Sequence, residues 1–279
     1  MTFFRRFSSK KWTWLSALVL TCVTIVIYRP ALQVGFWTDD FMFLDWAIRR
    51  PLLDYLVNYF DPRLQWIWYR PMQGVEFWIQ YIFFGNNPVG YHVVQLFLHV
   101  ANVLLLFGLV AHISRRWRLA FVAGIIYATL PTYGLAIYWA TVAEPLVTFF
   151  YVATLALWIG YLESGSRARL VLTFIAFICA LLSKETAATL PIMLFLIDRW
   201  LLHQRTPFAD LIKRYAGFVL LFFFYSLLIF KVITQGAFVN HSGYGISLGT
   251  FSVFFQYLTR LIIPWGMNPP FSSAIFCSR

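Results

Sequence analysis

Apolar residues run in long blocks along this chain. Apolar stretches at 12–27, 91–113, 170–182, 187–202, 215–233 and 251–264 are separated by short polar turns. A helix rises 1.5 Å per residue, so about 20 apolar residues cross the hydrocarbon layer of a bilayer. Between 119 and 162 the single charge is Glu144. That length is too great for one crossing and fits two, with Pro131 and Pro145 marking the turn between them. The pattern predicts an all-α polytopic membrane protein with about eight transmembrane helices. The spans are helical because lipid offers an unpaired backbone group no partner.

The region 29–90 breaks the pattern. It holds six of the eleven acids and five arginines, yet it is thick with Trp, Tyr and Phe. Such a mixture predicts short amphipathic helices lying in the membrane interface. Pro51 and Pro71 divide the region into pieces. The expected organisation is a basic cytoplasmic N-terminus (1–11), a transmembrane domain (12–270) whose first extracytoplasmic loop is 29–90, and a short tail (271–279). The tail ends directly after a span, which reads as a chain cut short of something longer. The first apolar run lacks a small-x-small cleavage site, so an uncleaved anchor is expected in place of a signal peptide.

Composition sharpens the class. The 279 residues are 61% hydrophobic and 12% charged, with a mean hydropathy of +0.71. The net charge of +11 would suggest nucleic acid in a soluble protein. Here every predicted inner loop holds more basic than acidic residues, a bias that orients the spans, so no nucleic-acid partner is expected. Arg5, Arg6, Lys10 and Lys11 precede the first span and place its start in the cytoplasm. Cys22, Cys179 and Cys277 lack metal-ligand spacing.

Polar residues at membrane depth are expensive. His92, Gln95, His99 and Asn102 recur at helical spacing and fall within about 80° of one another. They suit either hydrogen bonding between helices or a polar wall facing a cavity. His92 and His99 are about 10 Å apart along the helix axis and cannot share a metal ion.

A second group gathers on one membrane face. Asp39 and Asp40 follow the first span, in "FWTDDFMFLDW". Arg70 lies in "YRPM", Glu144 between the third and fourth spans, and Lys184 and Glu185 between the fifth and sixth. Carboxylates beside isolated cations suit chemistry on a lipid phosphate. Cations hold the phosphate and a carboxylate takes a proton. The residues alone leave plainer roles open: Asp39 or Asp40 as a helix N-cap, Lys184-Glu185 as a solvated turn, and Arg70 snorkelling to headgroups.

The ordered set is similar to a known group. "DD", "YRPM", "YIFFGNNPVGYHVVQLFLHVANVLLL", "LLSKETAATLPIMLFLID" and "QYLTRLIIPWGMNP" resemble the GT-C superfamily of polytopic glycosyltransferases over about residues 30–270. The branch they resemble is protein O-mannosyltransferase-like, including the membrane portion of the tetratricopeptide-containing mannosyltransferases. The resemblance implies a sugar, mannose or a similar hexose, carried on a polyprenyl phosphate. It implies inverting transfer to an acceptor hydroxyl of a protein, lipid or glycan. Asp39 and Asp40 match the family's acidic motif, Arg70 the Arg of its "RP" element, and Lys184 and Glu185 its "KE" turn. His92 and His99 match polar positions of its "YH…H" helix, and Glu144 is a further supporting polar residue. Arg70 and Lys184 are then the expected donor-phosphate ligands and an Asp the expected base. No protein-bound metal site is expected, although two adjacent acids suit a divalent cation held with the donor phosphate. The expected location is a bacterial inner membrane with an extracytoplasmic site in contact with membrane lipids. A transporter or lipid flippase is the alternative, and an inactive truncated relic a second one.

Overall fold

The computed structural model describes residues 10–65, 68–130, 137–201 and 208–235. All regular structure among them is helical. Helix α1 is Lys10–Tyr28 and continues as a 3₁₀ turn at Arg29–Gln33. Pro30, without an N–H, marks the change. Three short helices follow: α2 (Asp39–Arg49), α3 (Leu52–Phe60) and α4 (Pro71–Phe84). Pro51 immediately precedes α3 and Pro71 opens α4, as the spacing of the prolines predicts.

Helix α5, Pro88–Ser114, is the longest element of this half. Asn87 caps it by accepting the Val89 N–H at 3.1 Å, and Pro88 occupies the first turn. Helix α6 is Trp117–Thr129, α7 is Glu144–Ser164 and α8 is Arg167–Ser183. A 3₁₀ turn at Glu185–Thr189, helix α9 (Leu190–Leu196) and a π turn at Ile197–Leu201 form one continuous piece. Helix α10 is Phe208–Gln235.

Among the described residues, four segments are long and apolar enough to cross a membrane: Lys11–Gln33, Pro88–Ser114, Glu144–Ser164 and Ile212–Val232. They coincide with the first, second, fourth and seventh predicted spans. The third, fifth and sixth are helices of 13, 17 and 7 residues. Helix α6 is short because Leu130 precedes a proline, which forces it out of helical geometry to φ −62, ψ 121. The eighth predicted span, "QYLTRLIIPWGMNP", Cys277, the tail and residues 1–9 lie outside the described residues.

Helix α5 is central and packs on α1, α4, α6 and α7. A large core joins α7, α8, α9 and α10 around buried Trp158, Phe177 and Phe218, with Phe174 stacked on Phe218 at 4.3 Å. Asp198 in the π turn is fully buried, bonded by Arg214 at 2.9 Å and by the Tyr215 hydroxyl at 3.0 Å. The outer faces of α1, α5 and α10 carry exposed Trp14, Val26, Phe97 and Phe230, which suit hydrocarbon.

A second core is aromatic and fixes the short helices to the top of α5. Phe43 meets Phe77 at 5.3 Å, and Phe77 meets Tyr91 of α5 at 5.0 Å. Helix α3 lies hard against α4 at Gly74, where a Cβ would come within 2.4 Å of the Tyr59 ring. Only glycine permits that approach.

Candidate active site

The two adjacent acids have opposite surroundings. Both lie in the first turn of α2, whose N-cap position is Thr38. Neither is therefore the N-cap residue. Asp40 is fully buried. One carboxylate oxygen accepts the Trp37 N–H at 2.9 Å and the other accepts the Thr141 N–H at 2.9 Å. Thr38, between Trp37 and the helix, has φ 43, a region costly for a residue with a branched Cβ. Asp40 thus ties down a strained turn from both sides. Asp39 is exposed at the positive end of the helix. The pair does not suit a shared divalent ion, because both oxygens of Asp40 already accept backbone N–H groups. Among the described residues no three His, Cys, Asp or Glu side chains are grouped for a metal.

The other charged residues come together as two ion pairs. Arg70 immediately precedes α4, with its guanidinium over Trp68 at 4.5 Å. It donates two hydrogen bonds to Glu185, at 3.0 and 2.5 Å. Lys184 pairs with Glu144, the first residue of α7. Lys184 is extended, φ −163 and ψ 146. Adjacent side chains on extended backbone point to opposite sides, so Lys184 and Glu185 reach different partners. Burial of Glu185 opposes its ionisation, but the hydrogen bonds and charge of Arg70 outweigh this and hold its carboxyl below the usual carboxylate range.

Segment 137–145 connects these groups to the bundle. Its backbone is non-helical from Trp139 to Ala143 and needs hydrogen-bond partners at depth. The polar stripe of α5 supplies them. His92 Nδ1 donates to the Ile137 carbonyl at 3.1 Å, Gln95 to Ala140 at 3.0 Å and Asn102 to Pro145 at 2.8 Å. Gln73, one turn after Arg70, donates to the Thr141 carbonyl. Of the two roles open to the stripe, it fills the hydrogen-bonding one. His99 lies edge-on to Tyr28 at 5.1 Å, within the same packing.

Two features escaped sequence reasoning. The first is a pocket of about 320 Å³ between α2, α3 and the start of α4, lined by Met42, Phe43, Trp46, Arg50, Trp68 and Arg70 among others. Asp39 falls on the same helical face as Met42, Phe43 and Trp46, one turn earlier. The second is Glu76, whose carboxyl accepts from Gln80 at 3.0 Å and Gln95 at 3.5 Å and borders an apolar cavity with Met72, Ile79 and Phe83. Desolvation lifts it to about 8, against the lowering effect of the Gln80 hydrogen bond. Neither has a sequence signal beyond a charged residue in an aromatic context.

Residues 71–230 match the family model of dolichyl-phosphate-mannose-protein mannosyltransferases, more than half of the chain. The chain belongs to that family. A Caenorhabditis elegans protein O-mannosyl-transferase is 30% identical over 196 residues, 63% of this chain and 27% of that protein. Drosophila melanogaster protein O-mannosyl-transferase Tmtc1 is 28% identical over 190 residues, 64% of this chain and 22% of that protein. The chain spans about a quarter of the length of these curated relatives. No solved structure matches it. The family model takes in Glu144, Lys184 and Glu185 and begins directly after Arg70. Family and apolar helices together make this an integral membrane protein.

Proposed function

We propose that the protein transfers mannose, or a similar hexose, from a polyprenyl-phosphate carrier to an acceptor hydroxyl on the extracytoplasmic side. Helices α2 to α4 lie at that interface. The observation that carries the reading is the division of labour between the two acids. Asp39 is exposed in the first turn of α2, on the helical face that lines a pocket one turn further on, and Asp40 is locked by two backbone N–H groups.

Asp39 accepts the proton of the acceptor hydroxyl as that oxygen attacks the anomeric carbon. The carbon–oxygen bond to the carrier phosphate breaks on the opposite face, so the configuration inverts. The polyprenyl phosphate departs as an anion and needs no proton. Arg70 and Lys184 stabilise its charge, each already oriented by a carboxylate, Glu185 and Glu144. Glycosyl transfers pass through an oxocarbenium-like state, for which the leaving phosphate and a nearby carboxylate are the stabilising groups. Asp40 acts through position: it fixes the turn that presents Asp39. The polar residues His92 and His99 of α5 support segment 137–145 and the packing around it.

The test is transfer of labelled mannose from a polyprenyl-phosphate donor to an acceptor peptide by membranes containing the full chain. Asp39→Asn should abolish transfer while leaving membrane insertion intact. Wild-type rates in that variant overturn the assignment.

A further inference from the structure

The pocket between α2, α3 and the start of α4 holds an unbalanced positive charge. Arg50 and Arg70 both line it. Each guanidinium lies over a tryptophan, Arg50 over Trp46 at 5.4 Å and Arg70 over Trp68 at 4.5 Å. Glu185 neutralises Arg70. Arg50 has no such partner among the described residues: Asp45 is taken by Arg49 and Asp61 by Arg63. Stacking on Trp46 orders the Arg50 guanidinium without spending its charge. Its planar fork is preorganised for a carboxylate or phosphate oxygen pair.

Size and position narrow the occupant. At about 320 Å³ the pocket is at the small end of ligand sites. It has room for one or two side chains and none for a polyprenyl tail. The proposed donor-phosphate cations are Arg70 and Lys184, which leaves Arg50 for the other substrate. Asp39 and Trp46 share one face of α2 and stand seven residues apart, about 10 Å along its axis. An extended peptide covers that distance in about three residues.

We propose that this pocket reads the acceptor: Arg50, held over Trp46, takes the carboxylate of an Asp or Glu about three positions from the Ser or Thr presented to Asp39. The proposal rests on the reading of Asp39 as the base. It makes the acceptor an acidic, extended peptide segment, and Arg50 its specificity determinant.

The experiment uses the full chain in lipid nanodiscs and three peptides that differ at one position, three residues from a single Thr: Glu, Gln or Lys. Peptide binding is read by fluorescence anisotropy, and transfer by label from polyprenyl-phosphate mannose. The Glu peptide should bind about tenfold more tightly than the Gln peptide, the scale of one charge-assisted contact. Arg50→Gln should bring that ratio close to one and leave the donor KM where it was. Arg50→Glu should move the preference to the Lys peptide. Should the Gln variant fail to fold, Arg50→Lys keeps the charge without the fork and should show a smaller preference of the same sign. A Glu/Gln preference that is absent, or that survives Arg50→Gln, overturns the proposal. So does a rise in donor KM with peptide binding unchanged, which would assign Arg50 to the carrier phosphate. Charge-selective binding without transfer keeps this inference and removes the transfer reading. Transfer without selectivity does the reverse.

Discussion

Asp40 accepts the backbone N–H of Thr141 at 2.9 Å, across 101 residues of chain. Its other oxygen accepts the N–H of Trp37. The carboxylate is therefore a joint between the start of α2 and the segment that leads into α7. Asp39→Asn and Asp40→Asn should separate on this basis. The first removes a base and should lower transfer by about 10² or more, with unchanged thermal unfolding. The second replaces one of two acceptor oxygens by an amide donor facing an N–H. A buried unsatisfied donor costs about 1–3 kcal/mol, so the melting temperature should fall together with activity. Transfer assays and thermal unfolding of both variants in the same detergent decide this.

Arg70 and Glu185 should behave as a unit. Arg70 is 15% exposed and Glu185 is 41% exposed at the side chain, so solvent screens part of the interaction. Arg70→Ala is expected to cost about 1–2 kcal/mol, more than a surface pair and less than a fully buried one. The swap Arg70→Glu with Glu185→Arg should recover part of that stability without recovering transfer. The pH dependence has a definite sign. A carboxyl with a lowered folded pKa binds fewer protons in the folded state than in the unfolded one. Its contribution is fully present above the usual 4.5 and is lost as pH falls through the folded value. Acid unfolding curves of wild type and Glu185→Gln should differ below about pH 4.5 and run parallel above it.

Glu76 should give the opposite slope. Its folded pKa is raised from 4.5 to about 8, so the folded state holds the proton longer. Stability from this group is greatest at low pH and declines as pH rises from 4.5 to 8. Glu76→Gln keeps the shape of the neutral side chain and should flatten the decline. Melting temperatures of the two proteins between pH 5.5 and 9 should diverge at the alkaline end, with the variant higher.

Gly74→Ala tests how tightly α3 is set against α4. The added methyl meets Tyr59 ring carbons at 2.4 Å. Overpacking of this kind costs typically about 1–3 kcal/mol. Because Tyr59 also borders the Arg50 pocket, the variant should weaken peptide binding as well as lower the melting temperature. Isothermal titration with the Glu peptide checks the first effect.

The long helices were legible because bilayer thickness leaves little choice: an apolar run of sufficient length is a helix wherever it falls. Pro51 and Pro71 marked the breaks between the short helices for an equally local reason. The lengths of α6 and α8, and the 3₁₀ and π turns around α9, were not legible from hydropathy, which is blind to hydrogen-bond register. For the site, topology brought Arg70, Glu144, Lys184 and Glu185 to one end but left the pairing open. Which acid meets which base depends on the extended backbone at Lys184. Arg50 was passed over because "IRRP" reads as an ordinary basic turn. Only packing shows which arginine is paired and which is not. The difference between Asp39 and Asp40 was likewise hidden, since it depends on an N–H contributed from position 141.

The stretch 137–145, non-helical from Trp139 to Ala143, also bears on how the protein is made. Among the described residues, Asp40, Gln73, His92, Gln95 and Asn102 give side-chain hydrogen bonds to its backbone. All of them precede it in the chain. A ribosome delivers the N-terminal part first, so these five side chains are already synthesised when the stretch emerges. It can leave water into hydrogen bonds with side chains made before it. Moving α5 behind α7 by circular permutation would reverse that order, and the defect would show as misinsertion during translation, not as instability of the finished protein.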